Sequence, residues 1–237
     1  MNDRVERVRA ARRRMASEGP ARTRAGKVDD FAVVALDGQD CDVVRDLLIE
    51  EQVSTIVEVG LAYGGSALAI GEALLTVGDP DARHLVIDPF QHEAFDDVGW
   101  EAMVEAGLGS IATLVREESS AALPQMVRDG LVADAAFIDG SHRFHEVFVD
   151  LYFLRRIMRP GGLLLMDDAW APSVRTAVRY FEENLDWAEI PEAFARGTFW
   201  TRVDPPVRRC RAIRLPTTLT EPAFETFRPF TDLPRSG

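Results

Sequence analysis

The 237-residue sequence predicts a doubly wound α/β fold, with a mostly parallel sheet, helices on both faces and an N-terminal helical arm. Three observations predict it. Short segments that are apolar throughout alternate with segments of helical periodicity, which is typical of parallel strands covered on both faces. A glycine-rich turn joins the first of these strands to a helix, and carboxylates follow four of the five strands. Because the carboxyl ends of parallel strands meet at one edge of a sheet, a binding site is expected there.

The predicted elements follow in order along residues 40–215, which we take as the main domain, and residues 216–237 are expected to form an irregular tail. Proline and glycine end several elements, as at Pro80, Pro89 and Pro160. The predicted helices are 40–52, 67–75, 96–106, 120–129 and 144–158. The predicted strands are 54–59, 84–89, 111–115, 135–140 and 163–166. The segments 186–194, 197–203 and 209–215 are expected to add two or three strands at one sheet edge.

Residues 1–39 are expected to form a basic helical arm with a flexible connector over 17–26. The first 27 residues carry eight arginines and Lys27 against three acidic residues, although the whole chain has a net charge of −12. Nucleic acid is an unlikely partner, because the body is acidic and no aromatic residue lies among the arginines. Two interpretations stay open: a solvated amphipathic helix with Val5, Val8, Arg12 and Met15 near one face, or an arm that joins subunits of a homo-oligomer.

The composition is that of an ordinary globular protein, with 46% hydrophobic and 28% charged residues. No apolar run approaches the roughly 20 residues that span a bilayer, and no secretory signal is recognisable. We therefore expect a cytoplasmic protein without a membrane partner. Cys41 and Cys210 are far apart and lie in no ligand-like spacing, which argues against a disulfide framework or a zinc site.

The turn after the first predicted strand, from Ile56 to Ser66, indicates the ligand. Gly60, Gly64 and Gly65 can take positive φ and leave room for a ligand beside the backbone. Glu58, at the strand tip, would repel the pyrophosphate of a dinucleotide but attract the ammonium and sulfonium groups of S-adenosylmethionine (SAM). Such a pair about 4 Å apart has a Coulomb energy of roughly 1 to 4 kcal/mol. The turn therefore predicts a SAM site, and the lack of Gly-x-Gly-x-x-Gly disfavours a dinucleotide-dependent oxidoreductase.

Over about residues 40–180 the chain resembles the class I SAM-dependent methyltransferases, and is most similar to macrocin-type small-molecule O-methyltransferases of natural-product pathways. Four motifs carry the resemblance, in the family's order. They are Glu-x-Gly-x-x-x-Gly-Gly-Ser at 58–66, Asp-Gly-Ser-His at 139–142, Arg-Pro-Gly-Gly at 159–162, and Asp-Asp at 167–168. The resemblance implies a Rossmann-like fold, SAM as cofactor and a small-molecule acceptor.

Asp88 lies 23 residues after Gly65 at the tip of the next strand, close to the spacing that brings an acid to a ribose diol. The resemblance supports this role and implies that Ser119 contacts the adenine. The predicted cofactor-binding residues are Glu58, Gly60, Tyr63, Gly64, Ser66, Asp88, Ser119 and Asp139.

The acids Asp139, Asp167 and Asp168 admit two functional interpretations. In the first, which the resemblance supports, they bind Mg²⁺ or another hard cation, which would lower the pKa of an acceptor hydroxyl. In the second, no metal binds and one aspartate acts as general base. A structural alternative is that Asp168 caps the helix that begins after Pro172.

His142 stands where related metal-dependent methyltransferases place a basic side chain beside the accepting oxygen, so it is a candidate general base and substrate contact. A loop histidine that hydrogen-bonds an acid is the alternative. The predicted catalytic residues are His142, Asp139 and Asp167. Trp170 is predicted to contact the substrate, and Trp100, Phe194, Phe199 and Trp200 are candidates for a lid or an acceptor pocket.

The sequence does not identify the acceptor, since a sugar hydroxyl, a catechol-like ring and an amine all fit these residues. A metal-independent small-molecule N-methyltransferase is the main alternative. A non-catalytic SAM-binding protein is a further one, which the presence of the acids and the histidine disfavours.

Overall fold

A computed structural model of the chain describes residues 2–21 and 31–231. Its helices are α1 (Asn2–Glu18), α2 (Phe31–Val34), α3 (Gly38–Glu50), α4 (Gly65–Val77), α5 (Val98–Glu105), α6 (Ser119–Arg128), α7 (Phe144–Ile157) and α8 (Pro172–Leu185). Its strands are β1 (Thr55–Val59), β2 (Arg83–Ile87), β3 (Ala112–Val115), β4 (Ala133–Ile138), β5 (Met158–Met166), β6 (Ala188–Glu189), β7 (Phe199–Trp200), β8 (Val207–Arg208) and β9 (Arg211–Arg214).

The main sheet has seven strands in the order β3-β2-β1-β4-β5-β9-β6. Neighbours from β3 to β5 are parallel, whereas β9 is antiparallel to both β5 and β6. The direction in which strands are added reverses between β1 and β4, and ligands bind at such switch points in doubly wound sheets. The predicted fold class is confirmed.

The parallel strands are apolar throughout because helices cover both faces of the sheet. Val57, Ala136 and Leu164 pack towards the side of α6, α7 and α8. Their strand neighbours Ile56 and Phe137 pack on the other side, against α3 and α4. Because consecutive strand residues point to opposite faces, each strand contributes to both cores.

The segments after α8 differ from the prediction. β6 and β9 extend the sheet at its edge, as expected, but Phe199–Trp200 pairs with Val207–Arg208 in a separate two-stranded hairpin. Asp40, which is fully buried at the start of α3, accepts hydrogen bonds from the backbone and hydroxyl of Thr198 and so fixes the base of this hairpin. The tail is irregular apart from a 3₁₀ turn at Phe224–Thr226.

Helix α1 packs against α4 of the same chain. The predicted apolar face is confirmed, since Val5, Val8 and Met15 are buried there. The carboxylate of Glu72 on α4, also buried, pairs with arginines 9 and 12 of α1. Part of the predicted connector, residues 22–26, lies outside the described residues. Across the described ranges no helix combines the length and apolarity needed to cross a membrane.

Candidate active site

The glycine-rich turn lies at the switch point, between the end of β1 and the start of α4. Gly60 and Gly64 have φ of +95° and +83°, which confirms the predicted left-handed backbone at these two positions. Ala62 between them also has a positive φ, of 44°, and non-glycine residues in this region cluster at functional sites. Gly65, the third glycine of the motif, is the first residue of α4.

The reason why these positions require glycine differs from the prediction. A Cβ atom at Gly60 would lie 2.1 Å from the carbonyl oxygen of Asp139, and one at Gly64 would lie 2.9 Å from the carbonyl oxygen of Gly99. The space beside both residues is thus filled by backbone of the loop after β4 and of the first turn of α5. These glycines permit close packing at the rim, by which we mean the edge of the sheet formed by the carboxyl ends of its parallel strands. The expectation that they leave room for a ligand is wrong for this side of the turn.

Glu58 is fully buried and does not face the rim. Its Oε1 accepts a hydrogen bond of 2.6 Å from the Ser66 hydroxyl, and its Oε2 lies 2.7 Å from Nε2 of His84. Glu58 shares the face of Ile56, which points towards α3 and α4, because strand residues alternate. The prediction that Glu58 contacts the cofactor directly is therefore wrong. The same hydrogen bond occupies the Ser66 side chain, so a side-chain contact from Ser66 to the cofactor is also disfavoured.

Asp88 holds the turn in shape. Its Oδ2 accepts hydrogen bonds of 3.0 Å from the backbone nitrogens of Leu61 and Ala62 and from the Gln91 side chain. Its Oδ1 accepts a bond of 2.8 Å from the backbone nitrogen of Phe90. Within the described residues Oδ1 carries only this one hydrogen bond, so it has capacity for a ribose hydroxyl. The ribose contact stays a prediction, and the role of Gln91 was not foreseen.

Tyr63 and Ser119 flank this half of the rim. Tyr63 is buried and makes edge-to-face contacts with Phe31 and Phe95, at centroid distances of 5.5 and 5.2 Å. Ser119 begins α6 and hydrogen-bonds the carboxyl of Asp150, whose pKa is raised to about 7 by burial. Ser119 thus lies at a helix N-terminus beside the rim, and its contact with adenine stays a prediction.

At the ends of β4 and β5, the side chains of Asp139, His142 and Asp168 lie together, and we call these three residues the acid group. One potential ligand atom from each lies within 4.8 Å of the others. His142 Nε2 is 2.7 Å from Asp168 Oδ2 and 3.9 Å from Asp139 Oδ1. The two carboxylates raise the pKa of His142 to about 10. Burial and then the charge of Asp167 raise the pKa of Asp139. The geometry favours the predicted alternative of a loop histidine paired with an acid, because an imidazolium must lose its proton before it can act as a base.

Asp167 does not join this group. Its side chain is fully buried and forms a two-pronged ion pair with Arg209, with Nε to Oδ1 at 2.9 Å and Nη2 to Oδ2 at 2.7 Å. The Cys210 thiol donates to Oδ1 at 3.3 Å. The prediction that Asp167 binds a metal ion together with Asp139 and Asp168 is therefore wrong. The predicted catalytic role of Asp167 is also disfavoured, because no part of its side chain is exposed. The Arg208-Arg209 pair just before the last strand was the overlooked sequence signal.

Trp170 stands beside the acid group. Its indole nitrogen donates a 2.6 Å hydrogen bond to Asp168, and its ring stacks on Trp200 at 4.1 Å with an interplanar angle of 7°. The guanidinium of Arg202 lies 5.1 Å from the ring centre of Trp200. The β7–β8 hairpin therefore brings an aromatic wall to the β5 strand end. Asp168 does not cap α8, whose N-cap is Ala171.

The other aromatic candidates lie elsewhere in the packing. Phe194 is buried in the core beside α3, so its predicted place in a lid is wrong. Trp100 packs partly buried against the α1–α4 core, and Phe199 is half-exposed under the guanidinium of Arg208.

Comparisons with known proteins agree with this geometry. A family model described as a methyltransferase domain matches residues 57–169, which include the turn, Asp88 and the acid group. No protein of curated function matches the chain. Among solved structures, the chain is similar to the O-methyltransferase TomG from Streptomyces achromogenes in complex with SAM, with a TM-score of 0.62 and 18% identity over 92% of this chain and 91% of that one. It is also similar to an O-methyltransferase from Bacillus cereus in complex with S-adenosylhomocysteine (SAH), with a TM-score of 0.62 and 13% identity over 91% of each chain.

At these identities the structural likeness shows the fold, and the domain match adds the activity. The matched segment begins in β1 and ends just after the β5 acids, so it contains the motifs on which the resemblance rests. Residues 57–169 therefore match a methyltransferase domain, and the chain shares its fold with O-methyltransferases solved with SAM or SAH.

Proposed function

We propose that this methyltransferase transfers the methyl group of SAM to a hydroxyl of a small-molecule acceptor, in the manner of macrocin-type natural-product enzymes. The observation that carries the proposal is the group formed by Asp139, His142 and Asp168, which meets the Trp170–Trp200 wall at the switch point. The solved neighbours named as O-methyltransferases support the choice of oxygen as acceptor.

The cofactor half of the proposal rests on charge and shape. Asp139 keeps 18% of its side chain exposed, and burial and the charge of Asp167 raise its pKa, so a nearby cation would stabilise its charged form. When bound, SAM supplies a methyl group on a sulfonium, and SAH leaves as the carbon–sulfur bond breaks. The chain would bind and orient it through Asp88 Oδ1, the turn backbone and Asp139.

The acceptor half rests on the aromatic wall and the acids. A flat wall beside carboxylates can hold an apolar ring or sugar face while an acid orients its hydroxyl. As the oxygen attacks the methyl carbon, the hydroxyl proton passes to Asp139, or to His142 once that imidazole has lost its proton. Orientation of the two reactants can contribute about 7 to 11 kcal/mol to such a displacement.

Two ways of activating the hydroxyl fit these residues. A divalent cation, Mg²⁺ in the prediction, would supply Lewis acidity that lowers the pKa of the hydroxyl. The residues left to hold it would be Asp139, His142 and Asp168, because Asp167 is occupied by Arg209. The second way needs no cation and uses Asp139 as base. This second way is also open to a metal-independent N-methyltransferase, whose amine acceptor can lose its proton after transfer.

The proposal is tested in two stages. Calorimetric titration of the full chain with SAH should show binding, and a folded sample that binds no SAH would overturn the assignment. Release of SAH is then followed with SAM and panels of sugars, phenols and amines, each with Mg²⁺ and with a chelator. Turnover with hydroxyl compounds supports the proposal, whereas turnover with amines alone favours the N-methyltransferase.

Three further parts of the proposal concern context. A role in natural-product biosynthesis follows from the macrocin resemblance and is in line with TomG, which is involved in tomaymycin synthesis. A cytoplasmic location is proposed from the composition of the sequence.

A homo-oligomer is proposed through the outer face of α1, because the apolar face of this helix is already packed on α4. Gel filtration with light scattering tests the oligomeric state.

A further inference from the structure

We infer that Arg209 is a built-in cation that takes the place of a divalent metal ion at this rim, so that methyl transfer here proceeds without one. The inference rests on the proposed function and deepens it. Arg209 acts through Asp167 and is a positioning residue.

The first support is the geometry of the ion pair. Both oxygens of Asp167 lie within 3.0 Å of Arg209 nitrogens, and the Asp167 side chain has no exposed surface. Two-pronged guanidinium–carboxylate pairs are among the strongest hydrogen-bonded pairs, and arginine stays charged at any physiological pH. To ligate a metal, Asp167 would have to leave a buried, fully paired arrangement.

The second support is that Arg209 is held in place from three sides. Its carbonyl accepts from the backbone nitrogen of Ala169 at 2.9 Å, and its own nitrogen donates to Thr198 at 3.1 Å. Its Nη1 donates to the carbonyl of Ala35 at 3.3 Å. Only 15% of the side chain is exposed. The guanidinium is therefore anchored between the end of β5, the hairpin and the segment before α3.

The third support is the charge balance of the rim. The positive charge of Arg209 acts on Asp168 and Asp139 as well as on Asp167. A divalent ion on the remaining acids would therefore be repelled by a fixed guanidinium nearby. The same guanidinium repels the singly charged sulfonium about half as strongly as a divalent ion at the same distance.

The test is titration of the full-length protein with Mn²⁺ alone, with free Mn²⁺ followed by electron paramagnetic resonance, so the readout does not depend on turnover. The wild type should bind no Mn²⁺ more tightly than about 1 mM. Arg209→Gln frees Asp167 and should bind Mn²⁺ about tenfold or more tightly than the wild type. Arg209→Lys keeps a positive charge beside Asp167 and should gain less Mn²⁺ affinity than Arg209→Gln, which separates the effect of the charge from the effect of changing the side chain.

The matched control is Arg211→Gln. Arg211 has the same 15% side-chain exposure and also pairs with two oxygens, but its partners are Glu182 and Glu189, neither of which is one of the three aspartates Asp139, Asp167 and Asp168. It should leave Mn²⁺ binding unchanged. Each variant is first checked for folding by circular dichroism and for SAH binding by calorimetry.

The outcomes separate this inference from the proposed function. Tight Mn²⁺ binding by the wild type, or turnover that a chelator abolishes and Mn²⁺ restores, would overturn the inference while leaving the methyltransferase intact. Folded Arg209→Gln protein that binds SAH but gains no Mn²⁺ affinity would overturn it as well. If Arg209→Gln does not fold, the wild-type titration and chelator arms still decide.

Discussion

On the β1–β2 half of the rim, Glu58, Ser66 and Asp88 are buried and hydrogen-bond the chain itself, whereas on the β4–β5 half Asp139 and His142 keep part of their side chains exposed. The first half uses its polar residues to fix the backbone of a turn. The second half presents polar side chains to the rim. Substitutions should therefore change folding and cofactor affinity on the first half, and turnover on the second.

The largest effect is expected from Gly60→Ala on the first half. The new Cβ would meet the Asp139 carbonyl oxygen at 2.1 Å in a backbone with φ of +95°, so the unfolding free energy should fall by about 3 kcal/mol or more. Gly130→Ala is the control, since Gly130 has a φ of +70° but no atom within 4 Å, and should lose about 1 kcal/mol. Equal losses in urea unfolding would show that the close approach is absent.

On the second half, Asp139→Asn should lower turnover about 100- to 10,000-fold, because the amide can neither take the hydroxyl proton nor attract the sulfonium. The melting temperature should stay level or rise, since a carboxyl with a raised pKa is replaced by a neutral group. SAH release and thermal melting are the measurements. The exposed Asp81→Asn serves as control, and Asp139→Asn activity within about twofold of this control would contradict the assignment.

Glu58→Gln should act mainly on stability. A buried carboxylate that bonds Ser66 and lies against His84 is replaced by an amide with one acceptor oxygen, at a cost of about 1 to 3 kcal/mol. Urea unfolding and SAH calorimetry measure the two properties separately. A fall in SAH affinity of about 100-fold with unchanged stability would instead restore the direct cofactor contact that the sequence predicted.

The smallest effect concerns pH. The pKa of His142 is raised from 6.5 to about 10 in the folded state by Asp139 and Asp168, so its ion pairs stabilise the fold fully below about pH 6.5. This contribution declines as the pH rises towards 10. The difference in melting temperature between the wild type and His142→Gln should accordingly shrink from pH 6 to pH 10. A constant difference would mean that His142 keeps its ordinary pKa.

On the β1–β2 half of the rim, the sequence predicted the backbone of the turn but not the direction of the Glu58 side chain. The glycine turn, its positive φ values and the strand-end position of Glu58 follow from local pattern. The direction of the Glu58 side chain does not, because it depends on which face of β1 the neighbouring His84 and α4 cover. The pairing of Glu58 with His84, 26 residues away, required the register of β1 and β2.

For the second half, the sequence predicted which strands end in acids, and the fold confirms that Asp139 and Asp168 meet. It did not predict that Asp167 turns away, because its partner Arg209 lies 42 residues further along, beyond a hairpin that was expected to join the sheet. Nor did it predict the stack of Trp170 on Trp200, which the same hairpin creates.

By itself, the sequence determined the order of strands and helices, the glycine turn and the acids that follow the strands, since each of these depends on neighbours within a few residues. Only the tertiary structure decided whether an acid faces the rim or pairs inside the protein. That outcome depends on cations and backbone brought in from distant segments, and a buried carboxylate is stable only where such a partner meets it.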